Sequence, residues 1–259
     1  MPVAGNREKH IRVIKKAFDI LELFLFDNKP LSLTEISQKL SLPKTTAIGI
    51  LQTLTGLNAL EFDLQTTKYR LGPVLFHLGM HFISNIDFVA LAKVWMERLC
   101  LMFQQTVNVG ILHNHKVITL VQAEPGREDL ISLPLEGTTL PAHTSSIGKI
   151  FLAFMNEASR NILLKDYQFS PLTPRSISSR ERLDRELEEI SQKRISFDEE
   201  ESVSGVSSIG SALFNSVNQI IIGFSITGKA ESINHQRDKI VKEVLYTSEK
   251  VSALFGYSH

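Results

Sequence analysis

Three features of the 259-residue chain predict an α+β protein in two parts. Residues 11–71 read as a helix, a short helix, a tight turn, a third helix and a hairpin. From residue 107 onward, strands alternate with helices to the end. The charge also divides. The whole chain carries 28 Lys and Arg against 28 Asp and Glu. That neutrality argues against a chain that coats nucleic acid through bulk charge. Within residues 1–80, ten basic residues face seven acidic ones, so the first part carries +3 and the remainder −3. The hydrophobic fraction of 43% and charged fraction of 22% suit a globular protein and exclude wholesale disorder.

The first part can be justified element by element. Ile14, Ala17, Phe18, Leu21, Phe24 and Leu25 recur at helical spacing and are expected to face inward. Asp27-Asn28-Lys29-Pro30 stops that helix. Ser32-Leu33-Thr34-Glu35 is a capping box, opening a short helix with Leu33, Ile36 and Leu40 inward. Ser41-Leu42-Pro43 makes the turn, and Pro43 suits the first turn of a third helix. In that helix Ala47, Ile50, Leu51 and Leu54 face inward, and Gly56 and Asn58 close it. β-type runs at 59–62 and 68–71 enclose a polar tip. Two helices joined by so short a turn cross steeply, as in a helix-turn-helix, and the hairpin supplies a wing. The third helix then exposes Lys44, Thr45, Ile48 and Gln52 where base edges would be read. Lys68 and Arg70 on the wing suit phosphates. With so few phosphate contacts per subunit, dimerisation onto two half-sites is expected.

A helix from Pro73, carrying Leu75, Leu78, Gly79 and Phe82, reads as a connector, broken at Asn85 and Asp87. A second helix follows over 88–104, where Trp95, Met96 and the single cysteine, Cys100, read as core. One thiol can form neither an internal disulfide nor a zinc cluster, and no apolar leader or membrane span is present, so a cytoplasmic protein is expected. Strands are predicted at 107–112, 117–122, 131–135, 207–214 and 219–227. Helices are predicted at 143–154, after the Ser178-Ser179-Arg180-Glu181 cap, and at 234–255, with a turn at 137–141. The result is a sensor-like domain with a sheet of five or six strands flanked by helices.

Alternation places Gly223, Ser225 and Thr227 on one face of the last strand, and Ser208, Gly210 and Ala212 on one face of its expected partner. If these faces coincide, they form either a hydroxyl-floored concavity for a ligand or a close seat for a helix. The residues alone favour neither. Thr144-Ser145-Ser146-Ile147-Gly148-Lys149 could attract an anion at a helix start or simply cap the helix. Most of Asp198-Glu199-Glu200-Glu201 reads as a solvated loop, and His113-Asn114-His115 as a turn rather than a metal site. No nucleophile elbow, metalloprotease motif or dinucleotide fingerprint occurs. A hydrolase built from Ser146, His143 and Asp198 therefore has little support, and no cofactor is expected.

Several motifs in order resemble the IclR family of bacterial transcription regulators over about residues 11–257. They are Leu33-Thr34-Glu35-Ile36-Ser37, Leu42-Pro43-Lys44-Thr45-Thr46, Leu51-Gln52-Thr53-Leu54, Lys68-Tyr69-Arg70-Leu71-Gly72, Leu140-Pro141-Ala142-His143, Ile147-Gly148-Lys149, Asp198-Glu199-Glu200-Glu201 with Gly205-Val206, and Ile222 to Gly228. The resemblance implies a winged helix-turn-helix over residues 1–72, a linker helix over 73–86 and a GAF-like effector-binding domain over 87–259. It implies dimers or tetramers on double-stranded operator DNA, acting in repression and controlled by a small carboxylic acid. Thr34 and Thr46 join Lys44, Thr45, Ile48, Gln52, Lys68 and Arg70 as the expected DNA-contacting set. The effector contacts fall on Ser146, Ile147, Asp198, Ser208, Ser225 and Thr227. This chain departs from the pattern at Gly49, where an arginine is common, at Arg194, where glycine is usual, at Ser208 for cysteine and at Thr227 for serine. Gly49 keeps a second reading open, a small-molecule binding module that has lost DNA recognition.

Overall fold

The computed structural model describes residues 11–27, 29–84, 87–126 and 138–257. Asn28, Asn85, Gly137 and the strand expected over 131–135 lie outside the described residues. The chain divides into two compact units, Met1–Asn85 and Ile86–His259.

The first unit contains α1 (Arg12–Asp27), β1 (Leu31–Ser32), α2 (Leu33–Lys39), α3 (Lys44–Gly56), β2 (Leu60–Asp63), β3 (Lys68–Leu71) and α4 (Pro73–Ser84). The capping box forms: Glu35 N donates to Ser32 Oγ at 3.3 Å, and Ser32 N donates to Glu35 Oε2 at 2.7 Å. Ser41 turns the chain in the left-handed region at φ 52°, and Ser37 Oγ donates to Leu42 O at 2.6 Å. These contacts lock the turn that sets α3 against α2. Pro43 is the N-cap of α3, one position before its first turn. Ile20, Phe24, Ile36, Ile50, Leu51, Leu54 and Leu60 form the core. The strands run in the order β1-β3-β2, so the wing gains a two-residue strand that periodicity could not show.

One expectation about α1 is corrected. Ile14, Phe18 and Leu25 are 55–64% exposed, while Ile20 is fully buried. The apolar band of α1 is wider than the surface that α3 and the wing cover. Ala17, Leu21 and Phe24 of the expected face do pack in the core, and spacing alone could not separate them from the uncovered edge of that band.

The second unit contains α5 (Asp87–Phe103), β4 (Thr106–His113), β5 (Lys116–Ala123), β6 (Thr139–Pro141), α6 (Ser146–Phe154), α7 (Glu157–Leu163), α8 (Arg180–Lys193), β7 (Ser196–Glu199), β8 (Val206–Phe214), β9 (Ile220–Lys229), α9 (Ala230–His235) and α10 (Arg237–Leu254). Among the described residues, six antiparallel strands form one sheet in the order β6-β5-β4-β9-β8-β7. One face carries Val107, Val109, Ile209, Phe224 and Ile226. It packs with Met96, Leu99, Cys100 and Phe103 of α5 and with Ile240, Val244 and Val251 of α10. The other face meets α6 and α8 through Ala212, Phe214, Ile150, Leu152, Leu183, Leu187 and Ile190.

Several elements differ from the sequence reading. Thr139–Pro141 is an edge strand rather than a turn, because it pairs with Lys116–Ile118 of β5. The helix expected from His143 begins at Ser146, where Ser145 Oγ caps it by accepting from Gly148 N at 3.0 Å. The final helix is two helices with the break at Gln236. β7, expected only as part of an acidic loop, pairs with β8. Arg194 occupies the helix C-cap in the left-handed region at φ 56°, a position that favours glycine. Its guanidinium stacks on Phe154, Phe214 and Tyr257 at 5.5, 4.7 and 5.0 Å. These cation–π contacts offset the backbone strain.

Candidate DNA-reading surface and effector cavity

In α3 the apolar positions Ala47, Ile50, Leu51 and Leu54 are buried, which leaves Lys44, Thr45, Ile48 and Gln52 on the open face. Thr34 is exposed near the start of α2, and Thr46 is half-buried. On the wing, Arg70 Nε donates to Glu61 Oε2 at 2.7 Å, and Lys68 is half-buried opposite Asp63. Both basic side chains therefore have acidic neighbours with which a phosphate must compete.

A Cβ built on Gly49 would meet nothing within 4 Å, so a longer side chain fits there without strain. Gly49→Ala is expected to stabilise the chain by roughly 1 kcal/mol through helix propensity, measurable by urea unfolding. Gly49→Arg should tighten operator binding and steepen its salt dependence by about one phosphate contact. An unchanged salt slope would show that this position does not face DNA.

The sheet of the second unit brings the expected effector residues together. The strand register sets Asp198 opposite Ser208, Ser208 opposite Thr227, Gly210 opposite Ser225 and Ser225 opposite Asn108. The two small-residue faces thus coincide. Ser146, Ile147, Asp198, Ser208, Ser225 and Thr227 all line one cavity of about 50 Å³. Asn108, Val117, Thr119, Leu140, Ser145 and Ser202 complete much of its wall.

The small residues divide by position between a seat for a helix and a hydroxyl-lined cavity. A Cβ on Gly223 would lie 2.6 Å from Ile147 Cγ2, and one on Gly210 would lie 3.0 Å from Ser146 Oγ. Those glycines seat α6 on the sheet. Beyond the end of α6, Ser208, Ser225 and Thr227 supply hydroxyls. Ser146 Oγ and Ser208 Oγ are 2.7 Å apart, and Ser225 Oγ lies 3.4 Å from Thr227 Oγ1. The first amides of a helix have no intrahelical acceptor. Ser146 and Ile147 therefore present N–H groups and the positive end of the helix dipole to this cavity.

Asp198 is buried and shapes the loop after β7. Its Oδ1 accepts from Glu201 N at 2.7 Å and Ser202 N at 3.3 Å, and its Oδ2 accepts from Ser202 Oγ. Burial raises its pKa, while these hydrogen bonds and the Lys149 ammonium oppose the rise. The solvated-loop reading of the acidic run is corrected at both ends. Asp198 and Glu201 are buried, and Lys149, itself fully buried, donates to Glu201 Oε1 at 2.6 Å and Glu186 Oε1 at 2.5 Å. Glu199 and Glu200 pair with Arg237 and Arg175. Burial pushes the Glu201 carboxyl up to about 7.

The hydrolase constellation does not assemble. Ser146 bonds to Ser208, Asp198 to Ser202, and His143 Nδ1 lies 2.6 Å from Tyr167 Oη. His143 is packed edge-on among Tyr167 and Phe169, and burial, helped by Lys149, depresses its pKa to about 4. An imidazole depressed from 6.5 stabilises the fold above its unfolded pKa and loses that contribution as pH falls from 6.5 through 4. The expected loss is about 3 kcal/mol. In urea unfolding across this window, His143→Phe should show a shallower acid-side slope than wild type.

Sequence reasoning missed Asn108, Thr119 and Ser202. A signal for the first was available, since a lone amide interrupts Val107-Asn108-Val109 in an apolar strand. Ser202 became visible only once β7 placed Asp198 beneath it.

The family model "Bacterial transcriptional regulator IclR C-terminal" matches residues 80–253, and the IclR helix-turn-helix domain matches residues 13–64. The chain belongs to the IclR family. This IclR-family chain is 31% identical over 217 residues to the HTH-type transcriptional regulator XynR of Escherichia coli (strain K12), covering 84% of this chain and 86% of XynR. It is 28% identical over 255 residues to the HTH-type transcriptional repressor AllR of Klebsiella pneumoniae, covering 97% and 92%. The crystal structure of an IclR transcriptional regulator from Alicyclobacillus acidocaldarius superposes with a TM-score of 0.83 at 26% identity, covering 95% of this chain and all of that one. The IclR-family chain is accordingly a DNA-binding transcription regulator and not an enzyme. No helix among the described residues is long and apolar enough to cross a membrane.

Proposed function

We propose that this regulator is a repressor whose hold on operator DNA is controlled by a small carboxylic acid bound between α6 and the β7–β9 face. One observation carries the reading: six residues from four elements, Ser146, Ile147, Asp198, Ser208, Ser225 and Thr227, line a single cavity at a helix N-terminus. Helix-start amides and hydroxyls hold the carboxylate without a cationic side chain in the lining. Asp198 orients a ligand hydroxyl. Lys44, Thr45, Thr46, Ile48 and Gln52, with Thr34, contact the operator, and Lys68 and Arg70 hold phosphates. Residues 1–72 act as the DNA-binding head, 73–86 as the linker and 87–259 as the effector domain. The effector acts by binding one arrangement of the heads more tightly than another.

The chain works as a dimer or tetramer. The head alone is only mildly basic, and Ile14, Phe18 and Leu25 leave an apolar stripe exposed on α1. Such a stripe suits a second copy. Phe18→Glu is expected to shift sedimentation toward smaller species and to weaken operator binding at least tenfold.

The test is a fluorescence-anisotropy titration of the full chain on the DNA upstream of its own gene, with and without small carboxylic acids. A thermal-shift screen would select those acids, since a ligand of the folded state raises apparent stability. Binding at low salt that an acid releases supports the proposal. Acid binding without any DNA binding would instead establish the alternative reading, a ligand module that has lost its operator.

A further inference from the structure

The bases that the first unit can read are limited by one face of α3. With Ala47, Ile50, Leu51 and Leu54 buried, the open face consists of Lys44, Thr45, Ile48, Gly49, Gln52, Thr53 and Gly56. These positions recur at the spacing of a single helical face. Lys44 carries the only full charge on it, and α3 contains no arginine. Thr53 Oγ1 is turned back on its own helix, donating to Gly49 O at 2.9 Å. The space around Gly49 is open. The middle of the face is therefore one apolar side chain, Ile48, which is 38% exposed. The Gln52 amide lies one turn further along.

Each base shows a distinct pattern in the major groove. Guanine offers two acceptors, which arginine or lysine reads. Adenine offers an acceptor and a donor, which the two ends of a glutamine amide satisfy together. Thymine offers a methyl group, which an apolar side chain covers. Ile48 has no donor for guanine and no acceptor for the cytosine amine. Lys44 stands one turn before it, about 6 Å along the helix axis, so it serves a guanine or a phosphate only near the start of α3. Gln52 stands about 6 Å beyond Ile48, close to two base-pair steps of about 3.4 Å.

We propose that Ile48 is a specificity-determining residue that reads the methyl group of a thymine in each operator half-site, with Gln52 on an adenine about two base pairs away. The inference rests on the reading of α3 as the operator-contacting helix and names the bases that helix selects. The thymine methyl and the Ile48 side chain leave water together, which is favourable for both. A guanine or cytosine edge held against Ile48 gives up water from its polar groups and gains no hydrogen bond in return.

The experiment uses the full chain. Bound sequences are enriched from a randomised duplex library at low salt. Each thymine of the enriched site is then replaced in turn by deoxyuridine, which removes the methyl group and keeps every hydrogen-bonding group. Affinities come from fluorescence anisotropy. At one thymine per half-site the replacement should weaken binding by about fourfold, the worth of burying one methyl-sized group, and elsewhere it should matter little. In Ile48→Ala that position should become indifferent to the methyl, since the double-mutant cycle then removes both partners of one contact. The wild-type scan is decisive whether or not the variant folds. Uniformly small effects of deoxyuridine overturn the role of Ile48 and leave α3 standing as the DNA-reading helix. A penalty that persists in a folded Ile48→Ala does the same. If no sequence is enriched over the starting library, the operator-contacting reading of α3 falls together with the inference.

Discussion

Lys149→Met is expected to destabilise the effector domain by about 3–5 kcal/mol, which is large against the total stability of a domain. Lys149 is fully buried, and its ammonium bridges Glu201 and Glu186 at 2.6 and 2.5 Å. Removing it leaves the Glu201 carboxyl, which is 4% exposed, without its cation. Glu186 suffers less, because its side chain is 30% exposed and water can reach it. The pH dependence identifies the mechanism. The Glu201 carboxyl already stands at about 7 in the folded protein, against an ordinary 4.5. A carboxyl raised on folding favours the folded state when protonated, so its contribution is lost as pH rises from 4.5 through 7. Without Lys149 that window extends upward, so the variant should be far less stable at pH 8 than at pH 5.5. Replacing Glu201 by Met as well should recover much of the loss, because an apolar pair needs no compensating charge. Urea unfolding of the single and double variants at both pH values is the check. A pH-independent loss would point to cavity formation instead. The single variant should also blunt any effector response, since Glu201 N donates to Asp198 in the cavity wall.

Gly148→Ala is the second large expected effect. A Cβ on Gly148 would lie 2.4 Å from both Cα and O of Ala142, and these are backbone atoms that cannot swing aside. Relief requires the first turn of α6 to lift from the segment beneath it. Overpacking of this kind costs about 1–3 kcal/mol. The functional loss should exceed the loss of stability, because that same turn carries the Ser146 and Ile147 amides. Calorimetry should show effector affinity falling by more than tenfold while the isolated thermal transition shifts by only several degrees. Operator binding without effector should be nearly unchanged, because the DNA-reading residues lie in the other compact unit. If instead DNA binding is lost and effector binding is kept, α6 does not hold the ligand.

Much of this protein was legible before any coordinates. The capping box at Ser32 and Glu35, the turn at Ser41 and the buried side of α3 follow from local chemistry, and they sufficed to place Lys44, Thr45, Ile48 and Gln52 in the open. Alternation also placed Ser208, Ser225 and Thr227 on single faces of their strands, because side-chain direction in a strand has period two whatever the strand packs against.

Other features depended on which surfaces meet, and no local rule carries that information. The wide apolar band of α1 could not reveal that Ile20 is buried while Phe18 is exposed. Lys149 stands in a helix-start motif of the sequence, but its burial follows only from α8 and the loop after β7 closing over it. Gly210 and Gly223 seat a helix, while neighbouring serines and a threonine line a cavity, and the position at which α6 begins draws that boundary. Asn108 is the sharpest case. The sequence placed it in a strand. The register of β4 against β9 put it in the cavity wall with one buried oxygen unpaired among the described residues, because hydrogen-bond satisfaction is a property of everything that surrounds a side chain.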